Sequence, residues 1–363
     1  MSAQLHDQVN QILAKSADPI SLQNLGDVVE IKEVSVSGDT LNLGLCFGYP
    51  IEGLQDQLQD ELAKLFSPLG FAGLSLKLSW AVKSASSKPF EGAGKVKNIV
   101  AIASGKGGVG KSTTSVNVAL ALAADGARVG ILDADIYGPS QSMMLGVAEG
   151  TRPEVHQQQY FIPVEALGLQ SISMGYLTTE DTPMVWRGPM ASGALQQLLK
   201  QTLWNDLDYL VVDMPPGTGD LQLTLSQQVP VAGAVVVTTP QDIALLDAKK
   251  GVEMFRKVHV PVLGVVENMA THICTQCGHE EHIFGEGGGD RIAKEYGVSV
   301  LGSLPLSLSI REQADGGKPT VAAEPAGDIA QIYRRIARLA VGQLPKMASQ
   351  GDGAFPKISI HND

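Results

Sequence analysis

The sequence predicts an α/β protein: a doubly wound, mostly parallel sheet carrying a phosphate-binding loop, preceded by a small α/β domain. Three observations lead there. From Asn98 onward, short and almost continuously apolar runs alternate with stretches of helical period. Parallel strands covered by helices on both faces produce that pattern. Gly105-x4-Gly110-Lys111-Ser112 falls between the first such strand and the first such helix, the place for a phosphate loop. Aspartates stand where two further strands end, and open α/β sheets bind ligands at those ends.

The elements follow in order. Residues 1–82 read as α-β-β-α-β. Leu5, Val9, Ile12 and Leu13 give Gln4–Lys15 a helical spacing. Val28–Val36 and Thr40–Phe47 alternate around Ser37-Gly38-Asp39, a hairpin with a glycine turn. Ile51–Phe66 returns to helical period and Leu74–Val82 to strand period. Residues 83–97 read as a flexible linker, because Lys83–Gly94 is rich in Ser, Gly and Pro. Residues 98–343 read as the P-loop domain. Its predicted strands are Ile99–Ala103, Val129–Leu132, Tyr209–Val212, Ala234–Val237 and Val262–Val266. Its predicted helices include Ser112–Ala124, Ser192–Leu203, Ala244–Val258 and Asp328–Val341. Residues 344–363, polar and broken by Gly and Pro, read as a loose tail.

Composition narrows the function classes. The 363 residues are 44% hydrophobic and 18% charged, with a net charge of −11. An acidic balance argues against nucleic acid and anionic membranes as partners. No apolar run reaches the ~18 residues of a membrane span, and the N-terminus lacks the basic and apolar regions of a signal peptide. Three cysteines, Cys46, Cys274 and Cys277, fit thiols in a reducing compartment. A cytoplasmic location is expected.

In the loop Gly105-Lys106-Gly107-Gly108-Val109-Gly110-Lys111-Ser112, glycines let backbone N–H groups curl around phosphate oxygens. The following helix adds its positive end. Lys111 is expected on the β- and γ-phosphates of ATP and Ser112 on Mg²⁺, with Thr113 donating to the α-phosphate. Lys106 adds a second cation, placed to act like an arginine finger toward a neighbouring subunit. Asp213, followed by Met214-Pro215-Pro216-Gly217, has the form of a Walker B aspartate; it is expected to hold the Mg²⁺ shell, through water. The Gly217 N–H is expected to sense the γ-phosphate.

Cys274-Thr275-Gln276-Cys277-Gly278-His279 admits four readings. Two chains could give two thiolates each to one [4Fe–4S] cluster. The pair could be one knuckle of a zinc site finished by His279 or His282. It could be a redox dithiol, which Gly278 disfavours because such pairs sit at helix starts. It could be merely structural.

The loop Lys-Gly-Gly-x-Gly-Lys-Ser resembles that of the MinD/ParA-type ATPases, which implies that Lys106 acts across a nucleotide-sandwich dimer. The resemblance also implies that Asp135, the second aspartate of Asp133-Ala134-Asp135, orients the attacking water, leaving Asp133 to Mg²⁺, and that Asn268 reads the adenine edge. Adding Asp133–Ser140, Val266-Glu267-Asn268-Met269 and Cys274-x2-Cys277 in that order, residues 96–343 resemble the Mrp/ApbC/Nbp35 iron–sulfur carrier ATPases. Residues 1–82 resemble the small MIP18-like domain that precedes such ATPases, with Asp18-Pro19 in its signature position. Cys46-Phe47-Gly48-Tyr49-Pro50 departs from that domain's Cys-Pro pattern, so Cys46 reads as a small buried residue. The resemblance implies a homodimeric ATPase that binds a [4Fe–4S] cluster through Cys274 and Cys277. It also implies exchange with apo iron–sulfur proteins and cluster-assembly scaffold proteins. A spatial-organising ATPase, an electron-transfer ATPase like the nitrogenase iron protein and a zinc-stabilised regulatory ATPase are the rivals. The first two are disfavoured by the cysteine pair and its spacing.

Overall fold

The computed structural model describes residues 2–86, 88–177, 188–274 and 276–352. The chain forms two compact units, residues 1–88 with 341–363, and residues 89–340.

The first unit packs helices Ser2–Lys15 and Gln55–Phe66 with a three-stranded sheet. Val29–Ser37 pairs antiparallel with Thr40–Phe47, which pairs parallel with Gly73–Trp80. The hairpin turns on Gly38, at φ 63°, as a two-residue loop requires. Leu41, Leu43, Leu45 and Phe47, two residues apart along the central strand, are all buried. Leu58, Leu62 and Phe66, four apart along the helix, are buried too. Each period therefore points one apolar face inward. Asp18 is fully buried and its carboxylate is used internally. It accepts from the Ser21 amide at 3.0 Å and the Tyr49 hydroxyl at 2.6 Å. Cys46 is buried in the central strand.

Two boundaries differ from the sequence reading. Residues 83–86 and 88 take no helix or strand, but the later part of the expected linker is tied to the second unit. Ala93 N donates to Lys200 O at 2.7 Å and Lys95 N to Trp204 O at 3.0 Å. The expected loose tail begins with a helix, Leu344–Asp352, that belongs to the first unit. Its Pro345 lies against Gly48, and Lys346 pairs with Asp27 at 3.1 Å. Pro345 at the second helical position is compatible with a helix start, and the buried Leu344 anchors it. Residues 353–363 of that tail lie outside the described residues.

The second unit is an eight-stranded sheet flanked by helices. Its order is Val300–Ser303, Val262–Glu267, Val231–Thr238, Val96–Ala103, Leu207–Asp213, Val129–Asp133, Leu169–Ser173 and Val164–Ala166. All neighbours are parallel except the last pair. The five predicted strands are the five central ones, and they form the doubly wound sheet. The register sets Asp213 directly beside Asp133, so two strand ends deliver their carboxylates to one place. No helix among the described residues is long and apolar enough to cross a membrane.

Candidate nucleotide site and cysteine hairpin

The first sheet strand ends at Ala103 and the helix Lys111–Ala124 begins eight residues later. Between them the loop is pressed close to its surroundings. A Cβ on Gly105 would lie 2.2 Å from the Asp247 backbone, and one on Gly110 would lie 2.1 Å from Asn268 Nδ2. Gly110 also holds φ 81°. Only glycine meets both demands. Ser112 and Thr113 stand partly exposed at the helix start.

Lys111 is 6% exposed and its ammonium lies 2.6 Å from Asp213 Oδ1 and 3.1 Å from Ser112 Oγ. Asp213 also accepts from Ser115 Oγ at 2.9 Å and from Gln141 Nε2 at 2.8 Å. Asp133 is fully buried. Its Oδ2 accepts from the Ser140 and Gln141 amides and from Ser173 Oγ, each at 3.0 Å. Burial and the neighbouring Asp213 charge push its pKa up to about 7, against those hydrogen bonds and Lys111. Asp133 thus staples the loop that follows it. Asp135 is half-buried, and its carboxylate faces the Tyr137 and Gly138 amides. Burial raises its pKa, opposed by Lys111.

Gly217 adopts φ 99° and its amide donates to Ser104 O at 3.0 Å. The segment after Asp213 is therefore tied to the root of the phosphate loop. Lys106 is partly exposed and has no ion-pair partner among the described residues. Asn268 Nδ2 donates to Val109 O at 2.8 Å, and its Oδ1 accepts from Met269 N at 3.0 Å. The asparagine consequently holds the loop's backbone with one end of its amide and its own turn with the other. The oxygen donors gathered here, Ser112 Oγ and the Asp213 carboxylate, are of the kind Mg²⁺ prefers. A buried carbonyl oxygen without a partner, Gln141 Oε1, stands in the same cluster. The donor set fits the ion.

Beyond Asn268 the chain forms a small hairpin. His272–Ile273 pairs antiparallel with Glu280–Glu281, with Cys274 and Cys277 in the connecting turn. Cys274 N donates to His279 O and Gly278 N to Cys274 O, both at 2.9 Å, with Gly278 at φ 71°. The Cys277 and Gln276 amides face the Cys274 sulfur and lower its pKa, with help from the Cys277 thiol. Cys277 is exposed and Cys274 partly so. Among the described residues, no three His, Cys, Asp or Glu side chains gather into a metal-binding group. His282 Nδ1 is instead engaged with Ala270 O at 3.0 Å.

A family model described as the NUBPL iron-transfer P-loop NTPase matches residues 95–341. The chain belongs to that family. The chain is 51% identical to the iron–sulfur cluster carrier protein of Escherichia coli, over 94% of this chain and 92% of that protein. It is 71% identical to the carrier of the same description from Pseudomonas fragi, over 68% of this chain and 86% of that protein. The mouse iron–sulfur cluster transfer protein NUBPL is 52% identical over 71% of this chain and 80% of its own. Among solved structures, an ADP-bound nucleotide-binding protein from Archaeoglobus fulgidus superposes with a TM-score of 0.56 at 34% identity. It covers 64% of this chain and 90% of its own. MinD from Pyrococcus furiosus, at 22% identity and TM-score 0.50, shares the fold.

As a P-loop NTPase the chain hydrolyses a nucleoside triphosphate, and the structure brings Lys111, Ser112, Asp133, Asp135 and Asp213 into one cluster. A further residue of that cluster was missed by sequence reasoning. Gln141 contacts Asp133, Asp213 and the phosphate loop at once. A glutamine two positions past Pro139 carries no motif of its own; only the fold of its loop brings it in.

Proposed function

We propose that this chain is an ATP-driven carrier of a [4Fe–4S] cluster, held between two copies of the chain and passed to apo-proteins. The observation that carries this is the spacing of two sites. Asn268, whose side chain holds the phosphate loop, and Cys274, in the exposed hairpin turn, lie six residues apart. A change at the nucleotide has a short route to the thiolates. The relatives' names support the cargo, and one exposed and one partly exposed thiol, with no third ligand gathered beside them among the described residues, support sharing across a dimer, since the cluster takes four thiolates.

The residues divide the work as follows. The amides of residues 105–110 cradle phosphates. Lys111 leaves Asp213 for the β- and γ-phosphates, Ser112 and Asp213 hold Mg²⁺ and its waters, and Thr113 meets the α-phosphate. Mg²⁺ neutralises charge on the transferring phosphoryl group. Asp135 orients the attacking water, and Lys106 reaches the partner's nucleotide. The Gly217 amide exchanges Ser104 O for the γ-phosphate, which orders the switch. Asp133 keeps the loop in place beside the ion. Asn268 borders the adenine. The first unit docks partners, among them scaffold and acceptor proteins, and the free thiols Cys46, Cys274 and Cys277 suit a reducing cytoplasm.

Metal analysis after anaerobic purification tests the reading. Iron and sulfide near four each per dimer are expected; about one zinc per chain without iron would replace the carrier by a zinc-stabilised ATPase.

A further inference from the structure

We propose that Gln141 is a positioning residue for the magnesium ion of the nucleotide site. Its amide nitrogen holds Asp213, and its buried carbonyl oxygen accepts a hydrogen bond from a metal-bound water. This rests on the phosphate-loop assignment and is independent of cluster carriage.

Gln141 opens the short helix Gln141–Met144 and is 1% exposed. Its backbone amide donates to Asp133 Oδ2 at 3.0 Å. Its Nε2 donates to Ser112 O at 3.0 Å and to Asp213 Oδ2 at 2.8 Å. Both partners are pure acceptors, so the nitrogen must face them and Oε1 must face away. The orientation of the side-chain amide is thus settled by the chemistry of its neighbours.

Oε1 has no hydrogen-bond partner among the described residues. Leaving a buried carbonyl oxygen unpaired costs on the order of 1–3 kcal/mol, and native structures avoid it. The two side-chain donors on the other carboxylate oxygen of Asp213 are engaged elsewhere. Lys111 Nζ is on Asp213 and Ser112, and Ser115 Oγ is on Lys111 O and Asp213. Ser140 Oγ, one residue earlier in the same loop, is also buried and unpartnered. Two orphaned oxygens therefore lie in the loop that borders Ser112 and Asp213. Magnesium keeps several of its waters when it binds through carboxylate and hydroxyl oxygens. Each such water offers two O–H donors, whereas neither the Ser140 hydroxyl nor any other described donor bonds to Gln141 Oε1. Gln141 then couples the ion to Asp133 through its amide N–H and to the phosphate loop through Ser112 O.

The test measures binding of a fluorescent ADP to the full chain, in EDTA and across a Mg²⁺ titration. Gln141→Met keeps the length of the side chain and removes both polar atoms. The expected result is a Mg²⁺ midpoint raised about tenfold, beyond any change of affinity in EDTA, the effect of roughly one lost hydrogen bond. A midpoint equal to wild type overturns the proposal. Equal loss of affinity with and without Mg²⁺ also overturns it, because it marks a purely structural role. Should Gln141→Met not fold, Gln141→Asn carries the test. It keeps the amide but withdraws it by one methylene, and the same rise in midpoint is expected; an unshifted midpoint again overturns the proposal.

Discussion

The ammonium of Lys111 lies 2.6 Å from Asp213 Oδ1, with both side chains almost fully buried. The lysine expected on the phosphates thus pairs with the aspartate expected at the metal. On the proposed roles, Lys111 would exchange this partner for phosphate and Asp213 would exchange it for the metal shell. Lys111→Ala leaves a buried carboxylate unpaired, a loss of about 3–5 kcal/mol for such pairs. We expect it to abolish hydrolysis and lower the unfolding midpoint. Lys111→Ala protein with wild-type turnover in a phosphate-release assay would refute the assignment.

Lys106 differs, because it is partly exposed and forms no ion pair among the described residues. Lys106→Ala is therefore expected to fold as wild type and to retain nucleotide affinity while losing hydrolysis at least tenfold. Turnover plotted against protein concentration checks the dimer claim: wild type rises more steeply than linearly, and a strictly linear dependence contradicts a lysine acting across subunits.

Asp135→Ala is expected to slow turnover far more than it weakens ATP binding, since the carboxylate is proposed to orient water rather than phosphate. A large loss of affinity at unchanged turnover reverses the role.

On the proposed bridging arrangement, Cys274→Ala and Cys277→Ala each remove two of the four thiolates of the shared cluster. Iron content and visible absorbance after anaerobic reconstitution should collapse in both, and mass should fall to that of a monomer. Cys46→Ala should load normally, because Cys46 is buried in the other unit. A cluster that survives the double change at 274 and 277, or one held by a monomer, sinks the bridging arrangement.

Limited proteolysis should cut first within residues 83–88, of which the described 83–86 and 88 take no helix or strand, rather than at Ala93 or Lys95, whose amides are bonded within the second unit. Because Leu344–Asp352 belongs to the first unit, the nicked halves should elute together in native buffer and separate in denaturant. Separation without denaturant would mean that the terminal helix adds little.

Asp208 supplies a pH test. Burial pushes its carboxyl up, but Arg128 and Lys97 outweigh burial and hold the pKa below the usual range. A depressed folded pKa contributes stability above the unfolded value, roughly 3.9, that is lost as pH falls through the folded value. Asp208→Asn should cost about 1–3 kcal/mol at neutral pH, a gap that closes below about pH 4. A gap that is constant across that range would assign the effect to packing.

The division between sequence and tertiary structure follows from the range of the forces involved. The five central strands were legible because each is buried on both faces and so must be apolar throughout. The strand Leu169–Ser173, second from the sheet edge, was not. Its Gln170, Ser171 and Ser173 look like loop residues until Ser171 Oγ is seen bonded to Val164 O at 2.8 Å and Ser173 Oγ to Asp133. The phosphate loop was legible because glycine spacing is a local backbone requirement, and the cysteine pair because its spacing is local too. Which residues meet Asp213 was decided only by the fold. The parallel register sets it beside Asp133, and a turn of the following loop delivers Gln141 from 72 positions away. The same holds for Leu344–Asp352, a segment with weak helical cues of its own. Its apolar and charged contacts, Pro345 with Gly48 and Lys346 with Asp27, come from residues about 300 positions earlier, so no local reading of the chain contains them.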